Sequence, residues 1–283
     1  MRWRTGRRSR NIEDRRRTRG PGGGLIKGGG IGAIIFVLVA MYFGVDPSFL
    51  LDGMQGSPGT TVNKPLTEKE KQLGEFVSVV LADTEDTWKV LFQKNNATYR
   101  EPKLVLFSGS VRSACGNAQA AMGPFYCPAD EKVYIDLNFY DQLKNRFRAP
   151  GDFAQAYVIA HEVGHHIQTI LGISEKVHGA KSRVSRAEAN ELSVRQELQA
   201  DCLAGVWAFH ADRARNILEA GDVEEALNAA SAIGDDRIQK QTQGRINPES
   251  FTHGSAAQRV RWFKTGLTQG QMDSCDTFNA ASL

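Results

Sequence analysis

The sequence is poor in cysteine. Its 283 residues include only Cys115, Cys127, Cys202 and Cys275, and their spacing does not match a zinc knuckle, so they are not expected to bind a metal. An even number is typical of two disulfides formed in an oxidising compartment, for which three pairings exist. We expect Cys115–Cys127, which closes the shortest loop, and Cys202–Cys275, which ties the C-terminal tail to a helix.

No charged residue occurs in the eighteen residues 28–45. At ~1.5 Å per residue, a helix of this length covers about 27 Å, near the short end of what spans a bilayer. The segment lacks the polar stripe of a soluble core helix, so we expect a transmembrane helix. It also lacks a following signal-peptidase site, which favours an uncleaved anchor over a signal peptide.

Acidic residues are scarce before this segment. Residues 1–27 contain ten Lys or Arg against Glu13 and Asp14, a net charge of +8, although the whole chain has a formal net charge of +3. Trp3 is the only aromatic residue there, so we do not expect this head to bind nucleic acid. The positive-inside tendency instead predicts that the N-terminus lies in the cytoplasm and that the chain after Val45 lies outside.

Composition divides the chain into four parts. The Gly-, Pro-, Ser- and Thr-rich stretch 46–66 is typical of a linker. The predicted organisation is a basic cytoplasmic head at 1–27, a transmembrane anchor at 28–45, the linker at 46–66 and one folded domain at 67–283.

The folded domain is expected to be mainly helical, of the α+β class. Thr67 and Glu70 form a capping-box pattern before a helix that runs to about Asn95. The short runs LVLFSG, PFYC and VYIDL then predict a small antiparallel sheet of three strands. Further helices are expected over residues 152–171, 185–218, 221–241 and 254–267.

The helix expected at 152–171 contains the sequence HEVGH. His161 and His165 are four residues apart and therefore lie one turn apart on the same helix face. At this spacing both imidazoles can reach one Zn²⁺ ion, with Glu162 beside them as a general base. The flanking runs YVIA and IQTIL indicate a buried helix, and buried His and Glu require partners that a metal supplies. This favours a metal site over a solvated polar face.

A third ligand is predicted in the next long helix. Glu197 and Asp201 lie one turn apart, among apolar residues that argue against a solvated acidic face. Glu197 is the expected third ligand, which leaves a fourth position open, as in catalytic zinc sites. Asp201 is expected to bind a ligand imidazole from behind and fix its tautomer. The Cys202–Cys275 pair would hold the C-terminal tail beside it.

These motifs resemble known metallopeptidases. HEVGH followed by an E-x-x-A-D helix looks like the gluzincin group. The segments MGPFYCPAD, VYIDLNFY, GDFAQAYVIAHEVGHH, ELQADCLAGVW, ALNAASAIGDDR and FTHGSAAQR resemble the bacterial family of neutral zinc metallopeptidases over nearly the whole chain. The resemblance implies a zincin-like fold and a zinc peptidase.

His253 is a further candidate. It precedes a short helix that contains Arg259, and the pair resembles the His and Arg that follow the ligand helix in related membrane peptidases, where the His stabilises the oxyanion. An imidazole near zinc can hold the charge of a tetrahedral intermediate. We therefore expect His253 to act with Glu162, with Arg259 or Tyr157 as the next candidate. The remaining histidines have no partner pattern and are expected to be structural or at the surface: His166, His178 and His210.

The predicted function is zinc-dependent hydrolysis of peptide or protein substrates by a single-pass metallopeptidase of the bacterial inner membrane, with a cytoplasmic N-terminus and a periplasmic catalytic domain. An exposed strand edge, such as VYIDL, would hold an extended peptide by main-chain hydrogen bonds. The alternative is a zinc-containing but non-catalytic envelope binding or scaffold protein. Glu162 argues against it, because a closed structural site does not use a base.

Overall fold

The computed structural model describes residues 1–17 and 65–283. The strands are β1 (Ile12–Asp14), β2 (Lys103–Phe107), β3 (Ser110–Ser113), β4 (Gly116–Gln119), β5 (Phe125–Cys127) and β6 (Lys132–Asp136). The helices are α1 (Glu68–Lys94), α2 (Asn138–Asn145), α3 (Asp152–Ile170), α4 (Ile173–Lys181), α5 (Arg186–Arg215), α6 (Asp222–Ala232), α7 (Asp235–Gln243) and α8 (Ala256–Gln269).

The main sheet has four strands in the order β1-β2-β6-β5. β2 runs parallel to both β1 and β6, and only β5 is antiparallel to its neighbour. The prediction of an antiparallel sheet is therefore wrong. The chain between β2 and β6 is long enough to return to the starting end of the sheet, and this return allows the parallel pairing. The strand VYIDL, predicted as an exposed edge, is consequently central (β6), and β5 forms the edge.

The described part of the basic head, residues 1–17, belongs to the same folded body as the main domain. β1 pairs with β2, and the Arg7 guanidinium and the Ser9 hydroxyl both donate to the buried carboxylate of Glu85 on α1. A strand cannot pair with another strand across a bilayer. The predicted topology, with a cytoplasmic N-terminus and a periplasmic domain, is therefore wrong.

The predicted membrane span also needs correction. Residues 28–45, and most of the linker expected at 46–66, lie outside the described residues. Within the ranges 1–17 and 65–283, no helix is both long enough and apolar enough to cross a membrane. The fold class is corrected to a mainly helical domain with a small mixed sheet. The transmembrane helix and the location in the bacterial inner membrane are not retained.

Three of the described helices begin at capping boxes. In each, a Thr or Ser side chain accepts from the backbone of the third helical residue, whose side chain accepts in return. The pairs are Thr67 with Glu70 (α1), Ser185 with Glu188 (α5) and Ser255 with Gln258 (α8). The first was predicted from the sequence and is confirmed.

The helix expected at 221–241 is divided into α6 and α7. The break includes Gly234, where an added Cβ would lie 2.4 Å from the backbone nitrogen of Ala256 at the start of α8. The backbone N–H of Asp235 donates to the carbonyl of Gly254 on the same approaching segment. The break between α6 and α7 therefore lies where the chain contacts the segment 254–256, which leads into α8.

The core surrounds α3, which packs against α1, α5, α6 and β5. Its Phe153 and Tyr157 are fully buried, beside Trp207 of α5 and Phe263 of α8 respectively. Burying large aromatic rings on several sides of one helix fixes its position and rotation. The HEVGH segment is thus held rigidly at the centre of the domain.

Both predicted disulfides are confirmed. Cys115 is bonded to Cys127, with Cα atoms 5.8 Å apart, and Cys202 is bonded to Cys275, with Cα atoms 5.5 Å apart. The second bond joins α5 to the short 3₁₀ helix Met272–Cys275 in the C-terminal tail.

Candidate metal centre

Helices α3 and α5 bring three predicted ligands together. The Nε2 atom of His161 lies 3.2 Å from Oε2 of Glu197, and the Nε2 atom of His165 lies 3.5 Å from Oε1 of the same carboxylate. One ligand atom from each residue can be chosen so that all three lie within 4.8 Å of one another.

This geometry fits zinc. Nitrogen and oxygen ligands at about 2.0–2.1 Å from a tetrahedral ion lie about 3.4 Å from each other. The two separations between imidazole nitrogens and Glu197, one to each carboxylate oxygen, are close to that distance. Two imidazoles and one carboxylate form a donor set of catalytic zinc sites, which leaves a fourth position open. The side chains of His165 and Glu197 are 15% and 20% exposed, so the site is accessible from solvent.

Gly164, inside the HEVGH motif, permits the close approach of the two helices. An added Cβ would lie 3.0 Å from the carbonyl oxygen of Ala200 and 3.1 Å from its Cα atom. These distances are shorter than an ordinary contact with Cβ, so a larger residue would push α5 away from α3. The separation of Glu197 from the two histidines depends on this contact.

Asp201 lies behind His161. Its Oδ1 atom accepts a hydrogen bond from Nδ1 of His161 at 2.8 Å and another from the Tyr157 hydroxyl, while Arg259 donates to both carboxylate oxygens. The bond to Nδ1 leaves Nε2 of His161 free for a metal. Arg259 and Tyr157 are buried on the Nδ1 side. Neither faces the side where a ligand would bind, which disfavours both as the oxyanion group.

The buried charges shift one another's pKa values. Burial alone would raise the pKa of Asp201, but Arg259 and His161 outweigh it and lower this pKa to about 2. Burial would lower the pKa of His161, but Asp201 and Glu197 raise it to about 9. The negative charges of Asp201 and Glu197 thus favour a positive charge at His161.

Glu162 is the buried neighbour of the ligand histidines. Burial raises the pKa of its carboxyl group, and the two histidines only partly oppose this. No hydrogen bond from the described part of the chain engages its carboxylate. A carboxylate with a raised pKa and unused acceptor atoms can take up a proton.

His253 lies in the loop before α8 and is held by Asp235 at the start of α7. One oxygen of Asp235 accepts the backbone N–H groups of Thr252 and His253, each at 2.7 Å, and the other lies 3.2 Å from Nδ1 of the His253 ring. The His253 side chain is 53% exposed. Burial alone would lower its pKa, but Asp235 and the charge of Glu197 raise it. His253 thus lies close enough to the candidate ligand to interact with it electrostatically.

Two residues of the site were missed in the sequence. Asp235 follows the helix-breaking Gly234, and no spacing rule links it to His253. Gln168 accepts from Nδ1 of His165 at 2.9 Å, and its only signal is its position three residues after a ligand. His166, one of the three histidines expected to be structural or at the surface, donates from Nε2 to the carbonyl of Arg100 at 2.6 Å.

Comparison with known proteins agrees with a zinc site at His161, His165 and Glu197. The model of a family described as "Putative neutral zinc metallopeptidase" matches residues 1–278. The uncharacterized protein YpfJ of Escherichia coli K12 is 52% identical over 285 residues, which cover 98% of this chain and 99% of that protein. An uncharacterized protein of Mycobacterium tuberculosis H37Rv is 41% identical over 261 residues, 86% of each chain.

No solved structure matches the chain. The family match includes the basic head as well as the HEVGH helix, the Glu197 helix and the His253 loop. Because its model covers nearly the whole chain, the chain belongs to the family described as "Putative neutral zinc metallopeptidase".

Proposed function

We propose that this protein hydrolyses peptide bonds with a zinc ion held by His161, His165 and Glu197. The observation that carries the proposal is the spacing of the three donor groups beside the buried carboxylate of Glu162, which no described residue engages in a hydrogen bond. A purely structural metal site uses four protein ligands and has no need of a base. Three ligands with an adjacent carboxylate are typical of hydrolytic sites.

Each nearby group has a distinct task in this proposal. A bound zinc ion would polarise the scissile carbonyl and acidify water. The carboxylate of Glu162 accepts the proton of the attacking water and returns it to the leaving amine. The Asp201 carboxylate holds the Nδ1 proton of His161, which keeps Nε2 directed at the metal.

His253 is proposed to stabilise the oxyanion. Asp235 engages its Nδ1 atom, so that Nε2 remains available to donate to a developing negative charge. The raised pKa of His253 favours a ring that carries the proton it must donate. Its half-exposed position is also compatible with contact to a substrate.

A peptide substrate is proposed to lie along β5. This strand forms one edge of the main sheet, and it packs against α3, the helix with the two ligand histidines. Among the described residues, no strand pairs with its outer edge. An extended peptide can pair with such an edge through main-chain hydrogen bonds, which suits substrates of varied sequence.

Three forms of the full-length protein test the proposal. The parent should bind one zinc ion per chain and cleave an unstructured protein such as casein, and a chelator should abolish the cleavage. Glu162→Gln should keep the zinc and the fold and lose hydrolysis, because the amide has the same shape but does not accept a proton. His165→Ala should lose the zinc. If the parent binds zinc but cleaves no protein, the proposed peptidase activity is rejected. If His165→Ala still binds one zinc ion per chain, the proposed ligand set is rejected.

A further inference from the structure

A row of buried amide groups lies behind His165. Nδ1 of His165 is 2.9 Å from Oε1 of Gln168, Nε2 of Gln168 is 3.1 Å from Oε1 of Gln199, and Nε2 of Gln199 is 3.0 Å from the carbonyl oxygen of Cys275. Gln168 is fully buried and Gln199 nearly so. We call Gln168, Gln199 and the Cys275 carbonyl the amide relay.

The direction of every hydrogen bond in the amide relay follows from its carbonyl partners. Nε2 of Gln168 also donates to the backbone carbonyl of Gln196 at 2.7 Å. A carbonyl oxygen only accepts, so Gln168 must present its NH₂ group there and its oxygen to His165. The Cys275 carbonyl orients Gln199 in the same way. Because an amide oxygen cannot donate, the ring proton of His165 lies on Nδ1, and Nε2 keeps the lone pair that binds a metal.

We propose that Gln168 is the positioning residue of His165 and that Gln199 and the disulfide-bonded Cys275 anchor it. The proposal rests on the metal-ligand role proposed above for His165. The two ligand histidines thus have different supports, an ionised carboxylate behind His161 and neutral amides behind His165. The neutral amide of Gln168 orients the His165 ring without adding a negative charge. The buried metal centre already contains the carboxyl groups of Glu162, Glu197 and Asp201.

The far end of the amide relay is fixed by covalent and polar contacts. Cys275 is bonded to Cys202, which follows Asp201 on α5. Two residues further along the tail, the Thr277 hydroxyl donates to the carbonyl of Arg195 at 2.6 Å, and Arg195 donates back to the carbonyl of Thr277 at 2.6 Å. These contacts hold the Cys275 carbonyl in a defined position relative to α5. The C-terminal tail therefore supports the metal site.

Zinc affinity of the full-length protein, measured by competition with a chelator, tests the proposal without any substrate. Gln168→Met has a similar length but can neither accept from His165 nor donate to Gln196, and it should bind zinc about 10- to 100-fold more weakly. Gln199→Met leaves the bond between Gln168 and His165 in place and should cause a smaller loss. Gln155→Met is the control, because Gln155 lies on the same helix but outside the relay; it should bind zinc as the parent does.

The disulfide makes a matched second comparison. Replacing both Cys202 and Cys275 with Ala frees the end of the amide relay and should weaken zinc binding. Replacing both Cys115 and Cys127 with Ala removes a disulfide that is not part of the amide relay, and zinc affinity should stay at the parental value. Equal losses in the two double variants would contradict the anchoring role of Cys275.

Gln168→Met with parental zinc affinity, or an equal loss in Gln155→Met, overturns the role of Gln168. If Gln168→Met does not fold, NMR of the parent protein with cobalt in place of zinc tests the role of Gln168 instead. Its His165 Nδ1 proton should exchange slowly with solvent, because the buried Gln168 oxygen holds it; rapid exchange rejects the proposal. These measurements are independent of catalysis, so a protein that binds zinc through this relay but cleaves no peptide would reject only the proposed peptidase.

Discussion

Arg259 donates two hydrogen bonds to Asp201, from Nε to Oδ2 at 2.8 Å and from Nη2 to Oδ1 at 2.9 Å. Both side chains are buried, and Asp201 also accepts from the ring of His161. The guanidinium compensates the charge of the carboxylate that orients the ligand. Arg259, considered from the sequence as an oxyanion group, therefore has a supporting position behind the metal centre.

Arg259→Leu should destabilise the protein by about 3–5 kcal/mol, because it leaves the Asp201 carboxylate as an uncompensated buried charge. Urea unfolding of the metal-free protein measures the loss. Arg261→Leu is the matched control, two residues along α8 and exposed, and it should change stability by less than about 1 kcal/mol. Similar losses in the two variants would show that the Arg259–Asp201 pair is not a critical buried ion pair.

His253→Phe should retain zinc and its melting temperature while turnover falls on the order of a hundredfold, the loss expected for one oxyanion donor. Asp235→Asn should give a smaller decrease, because the loop keeps its shape but the ring loses its anionic partner. His178→Phe, on α4, serves as the control and should leave turnover unchanged. Parental turnover in His253→Phe, with or without a lower melting temperature, would assign His253 a purely structural role.

The part of the site that depends on local spacing was predictable from the sequence. His161 and His165 share a helix face because they are one turn apart, and the same rule pairs Glu197 with Asp201. The direction of an amide is not local. Gln168 acquires its role only because the carbonyl of Gln196 approaches from another helix.

The pairing of β1 in the main sheet also depends on non-local contacts that the sequence does not reveal. β1 has three residues, two of them acidic, inside a segment dominated by Arg, and this composition favours a solvated head over a strand. Its pairing with β2 depends on contacts more than fifty residues away, such as those of Arg7 and Ser9 with Glu85. The net positive charge of the head therefore predicted a solvated segment, whereas specific ion pairs and hydrogen bonds attach it to the folded domain.

Glu13 should make the attachment of β1 sensitive to acid. Burial would raise its pKa, but Lys132 on β6 and the nearby Arg15 lower it to about 2 from an ordinary value of 4.5. A carboxyl group whose pKa is lowered on folding contributes stability that is present above its unfolded pKa and lost as pH falls through its folded pKa. This contribution should therefore disappear between about pH 4.5 and pH 2.

The comparison of parent and Glu13→Gln tests this contribution. Urea unfolding at pH 7 should show Glu13→Gln to be less stable, and the difference should shrink as pH falls below 4.5. Glu249→Gln, at an exposed carboxylate outside the sheet, should match the parent at each pH. A difference between parent and Glu13→Gln that stays constant with pH would mean that Glu13 acts by packing and not by charge.

Two glycine substitutions should change stability in opposite directions. An added Cβ at Gly266 of α8 would lie 1.9 Å from the carbonyl oxygen of Cys202 and 2.8 Å from the nitrogen of Val206, both backbone atoms of α5. Backbone atoms cannot move aside without shifting the helix, so Gly266→Ala should destabilise the protein by about 3 kcal/mol. At Gly179 in α4 an added Cβ meets no atom within 4 Å, so Gly179→Ala should stabilise by about 0.5–1 kcal/mol.

Gly266→Ala and Gly179→Ala should also differ in zinc affinity. The reason is that α5 contains Glu197 and Asp201, and α8 contains Arg259. Moving α8 away from α5 disturbs the carboxylate behind His161, so Gly266→Ala should bind zinc more weakly even where it remains folded. Gly179→Ala should bind zinc as the parent does. Thermal unfolding and chelator competition on both proteins measure the two effects. Parental zinc affinity in a folded Gly266→Ala would show that the α5–α8 contact holds the fold together without controlling the metal centre.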